Sequence, residues 1–191
     1  MADRSTAVKI AALLASAVFS VAVLAHPGST PEVNASRVPV AALNEIEKTT
    51  NDRFTSDPWD SLGDTRGSYL PGYGAIFTFE MSLVRVTPIS PFHLTTSPEE
   101  IKSVHDRKVK QLAVLKDAMR DMLVKAAATL TTLPPSEQIC FEAYFFSQSF
   151  EDHRGLPQRL SMTANRQKLM DAVARHAKPA EISALVEERE E

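Results

Sequence analysis

The sequence predicts an α+β domain, a small and mainly antiparallel sheet covered by one long helix and by shorter N- and C-terminal helices. Three stretches carry that prediction. Ala75, Phe77, Phe79, Met81 and Leu83 alternate with Ile76, Thr78, Glu80, Ser82 and Val84, the period two of a strand with one apolar face. Ile101, Val104, Leu112, Leu115, Met119, Met122, Leu123, Ala126 and Leu130 recur at helical spacing over thirty residues. Ile139, Phe141, Ala143 and Phe145 then alternate with Cys140, Glu142, Tyr144 and Phe146, a second strand whose outer face is itself partly apolar.

The remaining elements follow in order. Val40, Leu43, Ile46, Thr50 and Phe54 lie on one helical face behind Pro39, and polar residues 49–52 close the segment. Residues 55–74 hold Gly63, Gly67, Gly72 and Gly74 with Pro58 and Pro71, so they read as a loop region with a short strand around 67–70 and a Gly72-Tyr73-Gly74 turn that launches the first long strand. Ser97-Pro98-Glu99-Glu100 specifies the start of the long helix: serine caps, proline fills the first helical position and Glu100 completes a capping box. Leu133-Pro134-Pro135 stops it. Residues 151–157 read as a hairpin loop, and Leu160, Met162 and Ala164 mark a third strand. Asn165 caps a helix carrying Leu169, Met170 and Val173. The domain is expected to span 38–178, with residues 179–191 a frayed acidic tail because the chain ends in EEREE.

Ahead of the domain, Arg4 and Lys9 precede an apolar run from Ile10 to Leu24, and Val23 and Ala25 stand before His26-Pro27-Gly28. That is the pattern of a secretory signal peptide, residues 1–25, cleaved between Ala25 and His26. Its Ala and Ser content makes the run weakly hydrophobic, which favours a transient signal over a retained anchor and implies no membrane association after removal. Residues 26–37, rich in Pro, Ser, Thr and Asn, read as a flexible tether. The expected location is therefore exported, periplasmic or extracellular.

Composition narrows the function classes. The formal net charge is −3, with its charges spread rather than blocked, which argues against a nucleic-acid surface. A single cysteine, Cys140, excludes an internal disulfide in an oxidising compartment, and its neighbours offer no cation to activate a thiol, so a small buried strand residue is expected.

Candidate chemistry is sparse. Trp59, Tyr69 and Tyr73 gather aromatics in one glycine-rich loop, where they either form a binding lip or pin the loop on the core. Asp57, Asp60 and Asp64 fit turn positions. Glu151, Asp152 and His153 are residue types used by metals and by acid/base chemistry, but consecutive side chains rarely converge on one ion, so the expectation is a polar loop and no metal or cofactor. His93, His105 and His153 lack the i,i+4 spacing of a zinc helix.

GYGAIFTFEMSL, VLKDAMRDML and FEDHRGLP together resemble a group of exported bacterial proteins of unknown function, over roughly residues 60–172. The resemblance implies an exported bacterial α+β domain and brings no activity. The sequence thus favours a non-catalytic exported protein that works through contacts. The alternative is a hydrolase or metal-dependent enzyme whose site joins the 55–74 loop to the 151–157 loop, with Asp60 or Asp64 near His153. One geometric tension remains. A helix from Pro98 to Thr132 spans about 50 Å at 1.5 Å per residue, longer than the strands it covers. Its far end is covered either by the terminal helices or by a partner, a second copy or another exported protein, docking at Met119, Met122 and Leu123.

Overall fold

The computed structural model describes residues 38–56, 58–85 and 96–191. The expected signal peptide with its Ala25/His26 junction, the tether 26–37, Asp57 and His93 lie outside the described residues. The elements run α1 (Val40–Phe54), β1 (Asp60–Ser61), β2 (Arg66–Leu70), β3 (Gly74–Ser82), α2 (Pro98–Thr129), β4 (Gln138–Phe145), β5 (Arg159–Asn165), α3 (Arg166–Ala174), α4 (Pro179–Ser183) and β6 (Val186–Glu190).

All six strands belong to one sheet, in the order β1-β3-β4-β5-β6 with β2 also paired to β3. It is α+β as the patterns predict, but not strictly antiparallel. β3 and β4 are parallel, Ala75 beside Ile139 and Met81 beside Phe145, while the other pairs are antiparallel. The reason is α2: a helix of that length returns the chain to the same end of the sheet, so β4 must start where β3 started.

Helix α2 begins as its sequence dictates. The Ser97 Oγ accepts from Glu100 N at 3.2 Å and the Glu100 carboxylate accepts from Ser97 N at 2.7 Å, a complete capping box. Its apolar stripe faces α1, α3, β4 and β5. Met119, Leu123, Ala126 and Leu130 are wholly buried and Met122 nearly so. The far end of α2 is therefore covered within the chain, with α1 and α3 packed on it as the first of the two alternatives has it, and Met119, Met122 and Leu123 offer a docking partner no surface. Each large apolar residue so covered contributes about 1.5–3 kcal/mol.

The inner layer is continuous. Phe54 of α1 stacks on Phe79 with centroids 5.0 Å apart, and Phe77 stacks on Phe141 across the parallel pair, also at 5.0 Å. Ile139, Phe141, Ala143, Leu160 and Met162 are fully buried beneath the helices. Gly74 is required where β3 meets β4. Its φ is +138°, and a Cβ there would lie 1.9 Å from the Gln138 carbonyl oxygen.

The acidic C-terminal segment does not fray. Residues 186–190 form the edge strand β6, antiparallel to β5, and the domain extends past 178 to the end of the chain. The alternation EEREE explains it. Glu188 and Glu190 turn toward α2, where Lys116 Nζ reaches Glu188 at 2.6 Å and also pairs with Glu190, and Arg120 reaches Glu188 at 2.9 Å. Burial acts to lower the Lys116 ammonium, but its bonds to Glu188 and Glu190 outweigh that and hold it above the usual range. Charged side chains along β6 also keep the free edge from pairing with other chains.

Candidate functional site

One face of the sheet carries the helices and the other carries none among the described residues. Strand periodicity separates the two faces. In β5, Leu160, Met162 and Ala164 are buried inward, while Arg159, Ser161 and Thr163 are only half-covered on the other side. In β4 the outward set is Gln138, Cys140, Glu142 and Tyr144. Strand pairing places these side chains in rows that run across the sheet: Arg66, Thr78, Glu142, Ser161 and Arg189 form one, and Glu80, Tyr144 and Arg159, extended to Glu191, form the next.

Three shallow depressions open on this face. The first, about 300 Å³, lies among Leu62, Asp64, Arg66, Glu80 and Tyr144. The second, about 270 Å³, is floored by Cys140, Ser161 and Thr163 and bordered by Tyr73, Glu142 and Arg189. The third, about 760 Å³, lies between the strand ends and the 146–158 loop, against Tyr144, Phe146, His153, Leu156 and Arg159. Tyr144 and Arg159 each border two of them, so the centre of the face is theirs.

That centre is held by a polar network. The Tyr144 hydroxyl donates to Glu142 Oε2 at 3.1 Å, and Arg159 Nη2 donates to Glu191 Oε2 at 2.5 Å with Glu142 at 4.0 Å. Tyr144 and then Glu191 stabilise the Arg159 guanidinium, whose pKa is raised. At the next row, Arg189 Nε donates to Glu187 at 2.8 Å. Tyr73 lies over the floor of the second depression, where burial, followed by the proximity of Cys140, pushes its phenol above the usual range.

The three aromatics singled out in the 55–74 loop are not brought together. Trp59 is buried, edge-on to Phe54 at 5.2 Å and beneath the Arg53 guanidinium at 5.4 Å, so it belongs to the core and forms no lip. Tyr69 points to the helix side, its hydroxyl donating to Glu137 Oε1 at 3.2 Å, and burial followed by that carboxylate raises its pKa. Glu137 Oε1 also accepts from Gly72 N at 2.8 Å, which fixes the turn that presents Tyr73. Only Tyr73 reaches the open face.

The 151–157 loop divides in the same way. Glu151 is buried and forms an ion pair with Lys108 of α2, whose ammonium also donates to Ser147 Oγ at 3.0 Å. It is therefore an anchor and not part of a polar surface loop. Asp152 is held by Arg154 at 2.6 Å, which keeps its carboxyl well below the usual range. His105 Nε2 lies 2.8 Å from the Arg154 carbonyl oxygen. His153 is exposed, at the rim of the third depression. Asp60 pairs with Arg85 at 3.6 Å, and Asp64 borders the first depression while His153 borders the third. Among the described residues no group of His, Cys, Asp and Glu is placed to hold a metal ion.

Sequence reasoning missed Lys108, Tyr144 and Arg159. For Lys108 a signal existed: it falls four residues after Val104 and four before Leu112, a cation at a position of the apolar stripe. For Tyr144 and Phe146 the signal was the apolar content of the outward parity in β4. Arg159 carried none. No protein-family model, no curated protein and no solved structure matches the chain. No helix among the described residues is long and apolar enough to cross a membrane.

Proposed function

We propose that this is an exported, non-catalytic protein that acts through protein contacts, and that the open face of the sheet is its working surface. The observation that carries the reading is where the uncovered apolar groups stand. Leu62, Leu70, Tyr73, Tyr144 and Phe146 are each 39–49% exposed and all border this face, whereas the other large exposed apolar residues, Val40, Val109, Val114 and Val173, are valines dispersed over the helices. Aromatics kept at the surface beside a fixed network of carboxylates and guanidinium groups have the composition of an interface core with a polar rim. The shallow depressions, with Asp64 bordering one and His153 another, and Asp60 paired with Arg85, favour contact over catalysis.

The sequence pattern of residues 1–25 supports export, and N-terminal sequencing of secreted material tests it: His26 is the expected first residue, and intact Met1 in a membrane fraction would contradict export by cleavage. The contact reading is tested by chemical cross-linking in the producing cell. Adducts of the wild-type chain are expected to persist in Val109→Ala and to vanish in Tyr144→Ala, with both variants equally folded. Adducts that survive Tyr144→Ala would move the working surface elsewhere.

A further inference from the structure

The occupant of the open face can be argued from its charge pattern. The face carries both signs, so neither a polyanion nor a polycation matches it. The charges stand in two adjacent rows that, compared position by position, set opposite signs together at Arg189 and Glu191 and like signs nowhere. One row reads Arg66, Thr78, Glu142, Ser161, Arg189, and the other reads Leu62, Glu80, Tyr144, Arg159, Glu191. A two-fold axis lying in the plane of the face and running between the rows lays each row on the other row of a second copy.

We propose that the open face is a two-fold interface with a second copy of this chain, an inference that rests on the contact reading above. In this arrangement Arg189 falls on the second copy's Glu191 and the Tyr144 hydroxyl on the second copy's Glu142, each pair occurring twice. The strands of the two sheets then run aligned and antiparallel, the usual way for two sheets to stack. Leu62 and Leu70, at one side of the face, and Tyr73 and Phe146 at its two ends, supply the apolar area. The 36 strand residues of the sheet, at about 3.3 Å rise and about 4.8 Å spacing, give a flat area of roughly 570 Å² per copy. Side-chain relief brings that toward the roughly 800 Å² per partner of an ordinary stable interface.

Sedimentation velocity on the purified chain tests the proposal. A reversible monomer–dimer equilibrium in the micromolar range is expected. Arg189→Glu, on a side chain 68% exposed, sets two carboxylates against each other and is expected to give a folded monomer, with unchanged circular dichroism. Adding Glu191→Arg to that variant restores opposite signs and is expected to restore the dimer. A chain that stays monomeric at every concentration overturns the proposal, as does a dimer indifferent to Arg189→Glu or a double variant that fails to re-form it. If the chain is monomeric but its open face is still shielded in the producing cell, the contact reading stands and its partner is a different molecule. If it is shielded in neither setting, both fall.

Discussion

Lys108 is the residue on which the 146–158 loop depends. Its side chain and that of Glu151 are 2% and 3% exposed, so each charge has the other as its counter-ion in a place water does not reach. Removing one partner strands the other, which costs about 3–5 kcal/mol, whereas replacing both with apolar groups of similar size is close to neutral. Lys108→Met is therefore expected to lower stability by that amount in urea unfolding, with most of the loss recovered in Lys108→Met/Glu151→Leu. Equal losses in the single and double variants would contradict the pairing. Gly74 is the second such residue. Gly74→Ala drives a methyl into the Gln138 backbone, and a loss of about 1–3 kcal/mol is expected from the overpacking. Cys140, 2% exposed beneath the outward row, is expected to react slowly with a soluble thiol reagent and faster in Tyr73→Ala, because Tyr73 borders the depression it floors. Rates unchanged by Tyr73→Ala would place the barrier elsewhere.

At the scale of elements, most of the secondary structure could be read from periodicity and capping. The box at Ser97, the cap at Asn165, which accepts from Lys168 N at 3.1 Å, and the alternation in β3, β4 and β5 are local signals, and local signals survive folding. Strand β6 was not legible for a physical reason. EEREE has no apolar alternation, and what makes it a strand is Lys116 and Arg120, some seventy residues away on α2. Pairing of that range has no trace in a local window. Lys116 gives a test with a definite sign. Its folded pKa is raised above 10.5, so the stability it contributes is fully present below about pH 10.5 and is lost as pH rises through the folded value. The stability difference between wild type and Lys116→Gln is expected to be constant from pH 7 to 10 and to shrink above that. A difference that persists unchanged well above pH 10.5 would mean that Lys116 works through packing alone. Truncation after Ser183 removes β6 and is expected to expose the β5 edge and promote aggregation, read by light scattering.

At the scale of the whole molecule, the fold class was legible and the open face proposed above as the working surface was not. The sequence shows that one parity of each strand is apolar, but not that the helices all gather on that side. It is the crossover through α2 and the placement of α1 and α3 that leave the second parity bare. The aromatics conspicuous in the sequence, Trp59 and Tyr69, were drawn inward, while Tyr144 and Phe146, which read as an ordinary strand end, stand on the open side. If that side is the contact surface, it is covered when the protein is at work. Hydroxyl-radical footprinting of the chain in its producing cell, compared with the dilute purified chain, measures this directly at Tyr73, Tyr144 and Phe146, with Val109 and Val114 as references on α2. Protection of the three aromatics with unchanged oxidation of the two valines is the predicted result; aromatics oxidised equally in both settings would contradict it.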